Sequence, residues 1–357
     1  MSRARDLANL GGSANAGTIT GPNLIINGDM SVAQRATSST SSGINSVDRW
    51  NAAFGGTGAA VTQSQESLSS SDAPYALGFR NYFRSTVTGT STATDAYHQI
   101  LQYVEAQHIA QSGWNFTSTS SYITLSFWVR SSLAGTYTVY FQSKDGTEQV
   151  YAHEFTLSAD TWTKVTKTVP GNSNITINND NGPGLLVDVI PHFGTDYTTS
   201  GSTTNAWKTA DGTDLTEDYT QNWLNTSSAT FDVTGFKLEV GSTATPFQHE
   251  TYDENFLKCL RYFQKSIVGT GTIDGTRIIV STGYTVSGNN LFGTVDHLIP
   301  MRANPTITFS NISVSGFPAG DPSFNGYGAQ RFEVYKAANA TQNSSYFLFD
   351  FTATAEL

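Results

Sequence analysis

Between Tyr122 and Arg130 the chain alternates strictly. Ile123, Leu125, Phe127 and Val129 share one face of an extended strand, and more polar neighbours occupy the other. A period of two cannot present one apolar side on a helix, so this stretch is committed to a sheet with one covered face. Further strands read at 149–157, 162–169, 184–191 and 229–240. The residues 137–141, after a turn at 131–135, read as the return strand of a hairpin over 122–142. Residues 23–29 read as a short apolar strand closed by an Asn-Gly-Asp turn. Short strands, polar turns and no long amphipathic helix predict an all-β chain whose main domain is a jelly-roll β-sandwich.

The composition supports cores of real size. Charged residues make up 13% of the chain, about half the usual ~25%, with Ser, Thr, Asn and Gly in their place. Aromatic residues make up 12%, too many for a disordered polar chain. The net charge of −10 opposes a nucleic-acid-binding role, which requires a basic face to replace phosphate counterions. The single cysteine, Cys259, excludes an intrachain disulfide and a cysteine-based metal site. No apolar run of about 18 residues is present, so no helical membrane span is expected. The opening residues lack the apolar stretch of a secretory signal, so arrival outside the cell by lysis is the expectation.

Four parts follow along the chain. Residues 1–20 are a short charged segment with a Gly-rich link, read as a docking segment or a loose terminus. Residues 21–250 form the jelly-roll domain. Phe256, Leu257, Leu260, Tyr262 and Phe263 fall at helical spacing, which predicts a connector helix within 251–266. Residues 267–357 return to strands at 277–280, 305–309, 331–335 and 346–351 and are read as a second, smaller β-sandwich. The segment 195–222, rich in Thr, Ser, Gly and Asp, is longer than ordinary loops, and such loops are often functional.

Three segments carry a resemblance to a known family. They are Asn23-Leu24-Ile25-Ile26-Asn27-Gly28-Asp29-Met30-Ser31-Val32-Ala33-Gln34-Arg35 followed by Asp48-Arg49-Trp50, then the middle run 125–131, and last 236–247, with the exit Cys259-Leu260-Arg261-Tyr262-Phe263. In this order, over about 23–265, they resemble a domain common in phage tail-fibre and related virion proteins, which is itself similar to jelly-roll carbohydrate-binding modules. The residues 2–8 are similar to attachment peptides of marine and cyanobacterial phage fibres. The resemblance implies a non-enzymatic protein on the exterior of a phage particle. It would attach through Arg3, Arg5, Asp6, Leu7 and Leu10 to a tail, baseplate or capsid protein, assemble as a homotrimer, and present its domains to a host-surface glycan or receptor. It permits a structural calcium ion and implies no other cofactor.

Sugar sites stack aromatic rings on the C–H face of a sugar beside polar groups. Trp114, Trp207, Tyr219 and Trp223 lie in polar stretches and are the candidate binding residues. Trp50 and Trp128 sit in framework motifs and read as core. Two alternatives stay open. One is a virion adaptor or head-fibre decoration without a ligand. The other is a surface-glycan depolymerase, for which Asp211, Asp214, Glu217 and Asp218, or Asp253 and Glu254, would have to supply two opposed carboxyls. No nucleophile elbow and no closely spaced zinc-type histidine pair is present, so no catalytic or metal residue is assigned. For calcium, the oxygen-rich runs are 178–182 and 211–214, which also read as ordinary turns.

Overall fold

The computed structural model describes residues 22–266 and 278–357. The attachment residues read in 1–20, and Arg277, lie outside the described residues. The chain is all-β and divides into two compact units, with the division between Asn255 and Phe256.

The first unit is a jelly-roll sandwich of twelve strands: β1 (Ser38–Ser39), β2 (Asn51–Gly55), β3 (Ala60–Ser67), β4 (Asn81–Gly89), β5 (Tyr97–Glu105), β6 (Tyr122–Ser131), β7 (Gly135–Ser143), β8 (Gln149–Leu157), β9 (Thr163–Pro170), β10 (Pro183–Phe193), β11 (Trp207–Thr209) and β12 (Thr230–Val240). Two antiparallel sheets result. The front sheet runs β1-β3-β4-β12-β6-β9 and the back sheet β11-β8-β7-β10-β5-β2. Ile123, Leu125, Phe127 and Val129 of β6 point inward and meet Val139, Phe141, Val187 and Val189 of the back sheet in one continuous core. Burying such side chains stabilises by about 1.5–3 kcal/mol each.

The expected hairpin at 122–142 is not one. β6 pairs with β12 and β9 in the front sheet, while β7 pairs with β10 and β8 in the back sheet. The turn at 131–135 therefore carries the chain across the core. Alternation fixes which face of a strand is buried but is silent about which sheet holds it, and two strands facing one core from opposite sides carry the same pattern.

β12 shows how local sequence sets register. Phe231 and Val233 alternate inward, and so do Phe236 and Leu238, but the two pairs are one residue out of phase. A one-residue slip would turn half the strand inside out. A bulge between Thr234 and Lys237, with Gly235 at φ 68°, absorbs the extra residue.

The segment 23–29 is not a strand either. Its backbone bonds largely to side chains and to β12. Ile26 exchanges two bonds of 2.9 Å with the buried Gln102 side chain. Asn27 adopts φ 57°, and its amide group bonds Val32 and the Asp48 carbonyl, while its own carbonyl accepts the Trp50 indole N–H at 2.9 Å. A Cβ on Gly28 would lie 2.2 Å from the Phe236 carbonyl oxygen, so no other residue fits there without a backbone shift. Asn255 reaches back to bond Asn27, Asp29 and Ser31. The opening motif is thus a structural clasp.

Between the strands lie a short helix, α1 (Ala106–Ala110), and single 3₁₀ turns at Ala73–Leu77 and Trp223–Asn225. Helix α2 (Tyr252–Leu260) begins with a capping box in which Thr251 and Glu254 bond each other's backbone N–H groups. It ends earlier than the expected 266, because Phe263–Lys265 forms a strand, β13, paired with the end of the chain.

In the second unit β14 (Ile278–Thr285), β16 (Thr306–Ser315) and β13 flank the long β19 (Gln342–Thr354), and β18 (Arg331–Ala337) lies between β15 (Asn290–Asp296) and β17 (Ser323–Tyr327). Phe347, Phe349 and Phe351 of β19 pack with Phe332 and Val334 in its core. Ile279, Phe292 and Leu298 of this unit are exposed.

Candidate functional site

The outward face of the front sheet carries an aromatic cluster where a polar surface would be expected: Phe79, Tyr82, Trp128 and Trp162, with Tyr75 and Phe247 alongside. Within it opens a cleft of about 340 Å³ whose lining includes Phe79, Trp128, Lys164, Pro246, Phe247 and His249. That volume falls within the ~300–1,000 Å³ typical of ligand clefts.

Each part of the cleft has a sequence cause. Trp128 is outward because β6 alternates; its inward neighbours are Phe127 and Val129. Lys164 of β9 is its direct cross-strand partner, and Thr234 of β12 is its partner on the other side. Gly235 keeps the floor open: a Cβ there would meet Phe79 at 2.8 Å and Trp128 at 3.2 Å. One wall is the chain after β12, folded back across the sheet. Lys237 and Glu239, outward on β12 and almost wholly buried, form a 3.1 Å ion pair. Lys237 also donates to Thr245 and to the Pro246 carbonyl, and Glu239 accepts the Thr245 N–H at 2.8 Å. This clamp sets Phe247 and His249 against Phe79, with ring centroids 4.8–5.0 Å apart. The His249 ring nitrogen Nε2 donates to the Leu77 carbonyl, which leaves Nδ1 as the other polar atom of that ring.

Beside the cleft, Asp232 accepts a bidentate pair of bonds from Arg84 at 2.7 and 2.9 Å and a further bond from Arg130. That hydrogen bonding holds the Arg84 pKa above its ordinary value against the effect of burial. Arg130 lies 4.7 Å over the Trp162 ring and pairs with Asp72, which also accepts the Trp162 indole N–H. Burial acts to raise the Asp72 pKa, but bonds from Ser69 and Trp162 and the charge of Arg130 outweigh it and hold the carboxyl low. These groups are spent on one another and stiffen the cleft's flank.

The indole N–H groups sort the tryptophans. Of the six, five donate to protein: Trp50 to Asn27, Trp114 to Ser121, Trp162 to Asp72, Trp207 to Pro170 and Trp223 to Thr230. Among the described residues Trp128 is the one tryptophan whose N–H has no protein partner, and it is half-buried in the cleft. A ring with one apolar face covered and a donor left over is the arrangement that a ligand completes.

The residues singled out from sequence lie elsewhere and are not brought together. Trp223 is fully buried and stacks on His98 at 5.3 Å. Trp114 is 3% exposed and belongs to the sandwich core. Neither ring can meet a sugar, because polar neighbours in sequence did not mean solvent in space. Trp207 packs edge-on to Tyr151 with centroids 5.5 Å apart. Tyr219 donates to the Ile190 carbonyl and borders a smaller cleft of about 190 Å³ with His192 and Asp218. Trp128, expected in the core, is the correction in the opposite direction.

The loop 195–222 lays Tyr197, Ala210, Leu215 and Tyr219 over the outer face of the back sheet, against Leu101, Tyr140, Leu186 and Ile190. In their midst Asp188 is fully buried with no hydrogen bond to either carboxyl oxygen, and burial pushes its pKa well up against a smaller pull from the Ile100 backbone. The loop carboxylates are engaged locally: Asp211 with Thr213, Asp214 with Lys208, Glu217 with the Gly201 N–H and Asp218 with Thr198. Glu254 is taken up in the helix cap. The two runs weighed for calcium are closed turns, in which Asp180 accepts the Gly182 N–H and Asp211 the Thr213 N–H. Among the described residues no group of three His, Cys, Asp or Glu side chains is placed to hold a metal ion.

No family model matches the sequence, and no curated protein matches it. Solved structures are similar to it at low identity. A cyclase from Fischerella sp. TAU shares 9% identity over 64% of this chain and 99% of its own, with a TM-score of 0.36. The enzymatically active domain of bacteriophage CBA120 tailspike protein 4 shares 8% over 61% of this chain, with a TM-score of 0.33, and the match spans 21% of that chain. The family 11 carbohydrate-binding module from Clostridium thermocellum, solved with a mixed-linked tetrasaccharide, shares 14% over 59% of this chain and 98% of its own, with a TM-score of 0.29.

Proposed function

We propose that this chain is a non-enzymatic saccharide-binding protein of a phage particle, a tail fibre or fibre-like component exposed on the exterior. The observation that carries the binding function is the Trp128 cleft: an aromatic platform with a spare N–H donor, walled by Phe79 and Phe247. The virion placement rests on the resemblance of residues 23–265. In this reading residues 1–20 dock on a tail, baseplate or capsid protein, and the sandwich presents its front sheet outward to a host glycan. Assembly with further copies, a trimer in this proposal, rests on the same resemblance, with the exposed Ile279, Phe292 and Leu298 of the second unit as its candidate contacts. Linked copies would turn weak single-site binding into strong attachment. No structural calcium is needed in this account.

The test has two arms. Wild-type and Trp128→Ala proteins are applied to an oligosaccharide array, and particles are assembled with chain lacking residues 1–20. The proposal expects array signal that the substitution removes, and particles that lose the truncated chain. An array silent for the wild type would overturn the binding function, and normal incorporation of the truncated chain would overturn the docking role.

A further inference from the structure

Resting on that function, the cleft also identifies the class of sugar. The chain carries a net charge of −10, yet no Asp or Glu lines this cleft. Its lining contains one ammonium, Lys164, at the cross-strand position next to Trp128. Directly opposed side chains on neighbouring strands have Cβ atoms about 4.5–5.5 Å apart, so the ammonium works within the footprint of a ring stacked on the indole. Lys164 is exposed and is not spent elsewhere. Among the described residues no hydrogen bond, ion pair or cation–ring contact involves it. The neighbouring cations behave differently: Lys237, Arg84 and Arg130 are each neutralised by a carboxylate. Ser126, also in the lining, and Thr166, exposed on β9 next to it in register, offer hydroxyls beyond the ammonium.

We infer that the cleft selects a saccharide bearing a carboxylate on the ring that stacks against Trp128, a uronic or sialic acid, with Lys164 as the residue that reads the charge. The indole supplies the contact common to all pyranoses. The ammonium adds attraction for the anion alone, and the absence of lining carboxylates leaves that attraction unopposed. A partly exposed ion pair is worth up to about fivefold in affinity, so charge tunes selectivity while stacking sets the baseline.

The experiment pairs each acidic oligosaccharide, such as oligogalacturonate, with its carboxyl-reduced form and titrates both into the full-length wild-type, Lys164→Gln and Trp128→Ala proteins at two salt concentrations. The inference expects the acidic member to bind about threefold to fivefold tighter than its reduced form, with the margin shrinking at high salt and vanishing in Lys164→Gln. Equal binding of the two members by the wild type, or a preference that survives Lys164→Gln, overturns the inference and leaves saccharide binding standing. Binding of neither member, or binding that Trp128→Ala does not weaken, overturns both.

Discussion

Replacing Lys237 by Met separates the stability of the front sheet from the shape of its cleft. Lys237 is 0% exposed and Glu239 2%, and they hold each other at 3.1 Å while sharing Thr245. Lys237→Met strands the Glu239 carboxylate in a dry site. Breaking one partner of a buried pair costs about 3–5 kcal/mol. In a domain of this size each kcal/mol moves Tm by about 2–4 °C, so the single variant should melt roughly 10 °C lower. Removing both charges, in Lys237→Met with Glu239→Leu, leaves no orphan ion, and such swaps are often neutral. The double variant should therefore recover most of the lost stability. It should not recover the cleft, because nothing then grips Thr245 and Pro246, and Phe247 loses its seat against Phe79. Calorimetry on the three proteins, with saccharide binding measured in parallel, checks both halves. A single variant that melts within 2 °C of wild type, or a double variant that is stable and binds normally, would refute the role given to the clamp.

Two further outcomes follow from the structure. Burial pushes the His98 pKa down to about 3 and that of His192, its cross-strand partner, to about 4, against an ordinary value near 6.5. Between those values the unfolded chain binds more protons than the folded one, so the contribution of His98 to stability is complete above about pH 6.5 and falls as the pH drops, by about 2 kcal/mol at pH 5. The buried Asp188 titrates with the opposite sign, so the comparison must be made between proteins. His98→Phe should lose about 2 kcal/mol less than wild type between pH 7 and pH 5 in urea unfolding, and identical losses would contradict the assignment. The proposed trimer predicts a particle of three 38.4 kDa chains in light scattering that falls to one chain when Ile279, Phe292 and Leu298 are changed to Ser; a monomeric wild type at micromolar concentration would refute it.

The alternation of β6 made its inward face legible, and the apolar run 346–351 marked the strand whose phenylalanines line the second core. What stayed hidden was pairing between distant segments. The hairpin reading of 122–142 failed because both strands face one core, and nothing local says that the turn at 131–135 crosses it. Helix α2 was overrun because Tyr262 and Phe263 continue an apolar spacing that a three-residue strand also satisfies. The Trp128 cleft was not foreseen, although one signal for it was present. The same alternation that buried Phe127 and Val129 set Trp128 on the opposite, polar face with Ser126 and Arg130, where a tryptophan needs explaining. Trp114, Trp207 and Trp223 were preferred for their polar neighbours, but backbone carbonyls satisfy their N–H groups, seven residues on for Trp114 and Trp223 and thirty-seven residues back for Trp207. The clamp of Lys237 and Glu239 on Thr245 spans only eight residues, yet it reads in sequence as surface charge on a strand.

The central claim is that saccharide binds at Trp128 on the front sheet and not at the aromatics of the 207–223 segment. It is tested most directly by titrating one bound oligosaccharide into wild type, Trp128→Ala and Trp207→Ala by calorimetry. Loss of the stacking face and of the free N–H should together weaken binding at least about tenfold in Trp128→Ala, while Trp207→Ala binds as wild type. Unchanged affinity in Trp128→Ala, with binding lost in Trp207→Ala, would contradict the account.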